Sequence, residues 1–223
     1  MTLFFLVVLI AIIGYFSFKL YIHDNSTFYQ LTGYSYFNVL MNKSVRTSYQ
    51  LTKELEHIQG TKKIMVNLQL PVHNEVQTID ALLLHESGVY VVNVIEKSGW
   101  INGREQSIEW MELLHKDQKR VFNNPIHETK RLTHALKDRL TEVDGSLFET
   151  MVVFTNNCSF QHIEIQSSDV EVLKIAELKE WAATLEGKRL SETEIETLYA
   201  TLESLMHGEK AILRSKTATP PVS

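Results

Sequence analysis

The sequence predicts an α/β domain, a mixed sheet flanked by helices, preceded by one transmembrane helix. Three observations carry this. Leu3 to Phe18 is predominantly Leu, Ile, Val, Phe and Ala, and no charge occurs from Met1 to Phe18. Short β-type runs follow between residues 63 and 95. Beyond them, capped helical segments alternate with further β-type runs. A length of 223 residues fits one globular domain plus attachments, and a hydrophobic share of 44% allows a core. The net charge of −5 excludes a protein that coats nucleic acid or anionic lipid over its whole surface. Cys158 is the one cysteine, so no internal disulfide forms, which fits a reducing compartment.

Residues 1–22 read as the anchor. About 20 residues at ~1.5 Å rise span a ~30 Å hydrocarbon core. Lys19 snorkels to the interface, and Tyr21 is placed for the aromatic belt. A cleaved signal peptide would want a basic start and a small-x-small cleavage site, and neither is present. No Lys or Arg precedes the helix, whereas Lys19, Lys43 and Arg46 follow it. The positive-inside rule then predicts a single-pass protein of the cell membrane with its soluble domain in the cytoplasm.

Residues 23–40, polar and aromatic without a clear period, read as a juxtamembrane connector. The α/β domain is expected over 41–175. It opens with an amphipathic helix over 41–59 (Val45, Tyr49, Leu51, Leu55, Ile58) that Gly60 ends. Lys63–Leu70 alternates, Thr78–His85 is mostly apolar, and Gly88–Ile95 is rich in Val, so three strands are expected. Gly99–Leu114 reads as a hairpin turning at Asn102-Gly103. Asn123 or Asn124 with Pro125 opens a helix to about Leu140, since Asn caps well and Pro suits the first turn. Further strands are expected at Glu149–Thr155, His162–Ile165 and Val170–Ile175. C-terminal helices are expected within 176–206, the last with a Ser191/Glu194 capping box, and a disordered tail over 207–223.

Gln77 to Leu84, then Gly88-Val89-Tyr90-Val91-Val92, then Ser98-Gly99-Trp100-Ile101-Asn102-Gly103 form a combination that resembles the nuclease-related domain, NERD. Trp110, Asn124-Pro125 and Val152-Val153-Phe154 extend the match, which covers roughly residues 42–155. The resemblance implies a restriction-endonuclease-like fold with a PD-(D/E)xK-type metal site. In such a site two acidic side chains hold Mg²⁺ against the scissile phosphate, and a lysine acts on the attacking water or the developing charge. Carried over residue by residue, Asp80 matches the family's Asp, while Asn93 stands at the Glu position and Ile95 at the Lys position. The Gly-Glu pair of the family's first helix falls near Thr47-Ser48 or Arg46-Thr47, and its Gln after Asn-Pro corresponds to Glu128. The scaffold matches and most of the catalytic set does not. A metal held by Asp80 and Asn93 alone would be weak, because hard cations prefer several oxygen ligands. Glu96 and Lys97 could replace the missing pair if a β-bulge turned Glu96 toward Asp80. Otherwise they form a solvated turn.

Seven Lys and Arg lie between His115 and Arg139, among them Lys116, Lys130, Arg131 and Lys137. On a helix, Lys130, His134 and Lys137 share a face, and with Arg131 they are the candidate nucleic-acid contacts. Such a run also suits an ordinary solvated face. The nine His show no zinc spacing, and no glycine-rich phosphate loop occurs. The expectation is a membrane-anchored, NERD-like, degenerate nuclease without a cofactor, binding DNA or RNA or serving as an interaction module with an unnamed protein partner. The alternatives are an active metal-dependent nuclease with a displaced motif, which would use Mg²⁺, and a protein-binding membrane scaffold.

Overall fold

The computed structural model describes residues 1–72, 75–114 and 118–217. Lys116 and the end of the expected tail, 218–223, lie outside the described residues. The chain forms two compact units, Met1–Lys53 and Glu54–Ser223.

In the first unit, α1 (Thr2–Asp24) is long and apolar enough to cross a membrane, and none of its most apolar stretch is buried within the chain. Where a connector without period was expected, the chain forms two short helices, α2 (Thr27–Thr32) and α3 (Tyr36–Met41). Ser26 caps the first, Gly33 closes it at φ 68°, and a Ser35/Asn38 capping box starts the second. Helix α4 (Lys43–Glu56) follows and crosses the division between the units. Phe28, Val39 and Val45 are buried together, with Tyr49 packed against them.

The second unit holds two sheets. The larger has the order β1 (Lys62–Val72), β2 (Glu75–His85), β3 (Gly88–Ile95), β7 (Phe148–Phe154), β9 (Val170–Lys174). Pairs β1/β2 and β2/β3 are antiparallel, while β3/β7 and β7/β9 are parallel. The smaller sheet has the order β6 (Lys119–Asn123), β5 (Glu109–Leu113), β4 (Gly99–Arg104), β8 (Cys158–Glu164). Helix α5 (Pro125–Lys137) is the crossover toward β7, α6 (Leu178–Ala182) is short, and α7 is Glu192–Thr217. The fold is mixed α/β, as the sequence predicts.

One core lies where Leu132 and Leu136 of α5 and Ile195, Leu198 and Leu202 of α7 meet Leu68, Leu82, Leu84, Val89 and Val91 of the large sheet. A second core joins the small sheet to the end of β7 through Ile101, Trp110, Ile126, Val152 and Phe154. Thr133 on α5 meets Thr150 on β7 at 3.1 Å, so the buried hydroxyls satisfy each other.

Two expectations are corrected. Asn102-Gly103 is not a turn: both residues lie inside β4, and the chain reverses after Arg104, whose carbonyl accepts the Ser107 N–H at 3.1 Å. Gly103 is required by close approach instead, since a Cβ there would stand 2.1 Å from the Trp110 ring. The hairpin gains a third strand, β6. Helix α7 has Thr217 as its last residue.

Candidate functional site

The site is built where β2 parts from β3. Their ladder runs from His85/Gly88 to Ala81/Val92 and ends before Asp80 would face Asn93. Asp80 takes over with its side chain, and its Oδ2 accepts the Val94 N–H at 2.7 Å. On its other side Asp80 lies opposite Asn67, in the step between the pairs Val66/Ala81 and Leu68/Ile79. Asn67 has φ 55°, a left-handed conformation that asparagine tolerates better than most residues. The strand alternation breaks across this step. Met65 and Leu82 on one side, and Leu68 and Ile79 on the other, all point into the same core. The irregularity thus sits at Asp80 itself.

Asp80 is half-buried, and burial is the main cause that pushes its carboxyl above the usual aspartate range. The Val94 N–H acts against this, and the negative charges of Glu128 and Glu96 add to it. Glu128 is exposed in the first turn of α5, where the helix dipole favours a carboxylate. Glu96 is the first residue beyond β3 and is also exposed.

No register shift interrupts β3 itself, which ends one residue before Glu96. Pairing of β3 with β7 is continuous from Val89/Phe148 to Ile95/Phe154. Lys97 is committed elsewhere: its Nζ lies 3.8 Å from Glu112 Oε2 and 4.4 Å from the centre of the Phe122 ring. Ile95 packs against the second core and Asn93 is half-buried. These residues fit a divalent cation poorly. Asp80 supplies one carboxylate, with Oδ2 bonded to a backbone amide, and the neighbours Asn93 and Ile95 add no second charge to it. Among the described residues, no group of three or more His, Cys, Asp or Glu side chains could hold a metal ion.

The basic candidates on α5 separate. Lys130 does not present a free charge, because its Nζ binds Glu105 Oε1 at 2.8 Å and Ser167 Oγ at 3.1 Å. Lys137 is half-buried, with its Nζ 5.8 Å from the centre of the Phe148 ring. Arg131 and His134 remain exposed. Sequence reasoning missed Glu105, which is 6% exposed and receives, besides Lys130, the Ser167 hydroxyl and the N–H groups of Gln166 (2.7 Å) and Ser167 (2.9 Å). Burial raises its carboxyl pKa, but these donors together outweigh burial and bring it down to about 2. The only signal in the sequence was a Glu in a turn, which is indistinguishable from a solvated one.

The residues that carry the family resemblance are mostly scaffold. Asn124 caps α5 by accepting the Ile126 N–H at 3.0 Å. Its amide also donates to the carbonyls of Glu105 and Ser107, both at 2.7 Å, tying the β4–β5 turn to the helix. The Trp110 Nε1–H binds the Arg104 carbonyl at 3.0 Å in the same turn. Gly99, at φ 73°, lies so close to β5 that a Cβ would stand 2.3 Å from the Leu113 carbonyl oxygen.

The chain is 24% identical over 130 residues to an uncharacterised protein of Bacillus anthracis; the match covers 58% of this chain and 60% of that relative's length. The family model of the nuclease-related domain matches residues 43–155. That is just over half of the chain, and it spans β1 to β7 with the parting of β2 from β3 at its centre, so the chain belongs to the nuclease-related domain (NERD) family.

Proposed function

We propose that this chain is a membrane-anchored nuclease-related domain whose catalytic centre is dismantled and which acts as a nucleic-acid-binding module. The observation that carries the reading is the hydrogen bond from Val94 N–H to Asp80, beside Asn93 and Ile95 where the family pattern has Glu and Lys. A catalytic aspartate must offer its lone pairs to a metal. Asp80 bonds one across the parted strands, and beside it no second carboxylate at Asn93 and no lysine at Ile95 completes the set. A displaced-motif nuclease is the second reading, favoured by the charges of Glu96 and Glu128 that reach Asp80. Against it, Lys97 is directed at Glu112 and Phe122, which leaves that centre without its lysine.

Anchoring is supported by α1, the apolar helix beginning at Thr2. Deleting residues 1–22 is expected to move the protein from the membrane to the soluble fraction, checked by cell fractionation under alkaline wash. Retention as an integral protein contradicts the anchor. Nucleic acid as the ligand rests on the family and on the exposed Arg131 and His134. Arg131→Ala is expected to weaken binding alike for all sequences and to flatten the salt dependence by about 0.9 log unit per lost phosphate contact. Lys130→Ala is expected instead to lower stability. Fluorescence anisotropy across a salt series reads the first variant and urea unfolding the second. An unchanged slope for Arg131→Ala removes α5 from the interface, and undetectable binding by the native chain favours a protein-binding scaffold.

A further inference from the structure

Helix α3 presents an apolar face that nothing in its own unit covers. Val39 points inward and is 5% exposed, whereas Phe37, Leu40 and Met41 are 61%, 42% and 86% exposed. Their i, i+3, i+4 spacing places them on one side of the helix. Three exposed apolar side chains side by side on one helical face are a candidate interaction surface.

The depth of α3 is set by α1. His23, in the last turn of α1, is buried, and its Nε2 contacts the Tyr34 carbonyl at 2.7 Å just before α3 begins. The Tyr36 ring, in the first turn of α3, lies 5.7 Å from the His23 ring. His23 directly follows the ~20 residues that fill the hydrocarbon core. The start of α3 is thus level with the end of the apolar span.

The charge pattern fits the same place. From Asn25 to Lys53 there is no Asp or Glu, while Lys43, Arg46 and Lys53 are positive. Arg46 donates to the carbonyls of Val39 (3.2 Å) and Leu40 (2.5 Å), which brings a guanidinium to the C-terminal end of α3. Cations beside an apolar helical face are the composition of a segment lying at a phospholipid headgroup boundary.

We propose that α3 lies in the headgroup–acyl boundary of the bilayer that α1 crosses, with Phe37, Leu40 and Met41 immersed and Arg46 at the phosphate level. The inference rests on α1 being a membrane anchor, and the experiment separates the two. Full-length protein carrying Ile10→Cys, Phe37→Cys or Met41→Cys, in a Cys158→Ser background, is labelled with an environment-sensitive fluorophore. Each sample is placed in liposomes of phosphatidylcholine and phosphatidylglycerol. Labels at 37 and 41 are expected to be quenched by lipids brominated near the headgroup end of the acyl chain and shielded from aqueous iodide. The label at 10 is expected to be quenched by lipids brominated near the bilayer centre. Iodide access at 37 and 41 with a deep label at 10 overturns the proposal and leaves the anchor standing. Protection of 37 and 41 from both quenchers also overturns it, by showing protein, such as a second copy, on that face. Iodide access at 10 overturns the anchor and the proposal together.

Discussion

Glu105→Ala is expected to destabilise the α/β unit by about 3–5 kcal/mol, the usual cost of removing one partner from a buried ion pair. The loss is large because Glu105 is a hub. It receives Lys130 from α5 and three donors from residues 166 and 167 after β8, and its own turn is gripped by Asn124. Removing the carboxylate strands a half-buried ammonium and two backbone N–H groups at once. Urea unfolding of the full chain in detergent micelles measures it, and a loss under about 1 kcal/mol would contradict the account. The same group sets an acid limit. With its carboxyl lowered from 4.5 to about 2, Glu105 contributes stability that is present above about pH 4.5 and fades as the pH falls toward 2. Up to about 3 kcal/mol is involved, less whatever solvent screening removes. Asp80, Glu149 and Glu171, all raised first by burial, act in the opposite sense and favour the folded state as the pH falls. The Glu105 contribution is therefore read as the difference between native protein and Glu105→Gln across pH 2–5.

Trp110→Ala is expected to cost about 3–5 kcal/mol, as large aromatic truncations in a packed core do. Trp110 is 1% exposed, its ring is parallel to Phe154 within 3° at 6.1 Å, and it meets Phe122 edge-on at 6.4 Å. It joins the small sheet to the end of β7, and Gly103 leaves the room for its ring. Trp110→Phe keeps most of the apolar contact and loses the bond to the Arg104 carbonyl, so a cost nearer 1 kcal/mol is expected. Trp100 and Trp181 remain as fluorophores in both variants. Equal losses for the two variants would mean that the hydrogen bond, not packing, dominates at this position.

The strands of the large sheet were legible because their signal is apolar and local. Lys63–Leu70, Thr78–His85 and Gly88–Ile95 fall within β1, β2 and β3. The caps were legible for the same reason: Asn124 opens α5, and Ser191 with Glu194 opens α7 through bonds at 2.7 and 3.3 Å. What could not be read depends on contacts distant in sequence. Asn102-Gly103 has the chemistry of a hairpin turn, but its glycine is there for an indole seven residues later. The short helices α2 and α3 lack a long period and are signalled only by their serine caps. At the candidate site, the positions of Asp80, Asn93 and Ile95 followed from the family pattern, whereas the Val94 bond and the left-handed Asn67 did not. Lys130 shows the limit of helical spacing. It shares a face with His134 and Lys137 in projection, yet it is held by a buried carboxylate 25 residues earlier. Spacing orders side chains around a helix and says nothing of what packs against them.

The central claim is that Asp80 closes a strand junction rather than holding a catalytic metal. Digestion of plasmid and single-stranded DNA by the purified full chain, with Mg²⁺ or Mn²⁺, compared with Asp80→Ala, tests it most directly. The account predicts no metal-dependent cutting by either protein and a lower unfolding midpoint for Asp80→Ala, because the Val94 N–H loses its acceptor. Metal-dependent cutting by the native chain that disappears in Asp80→Ala would contradict it, and would make Glu96 and Glu128 the next carboxylates to replace.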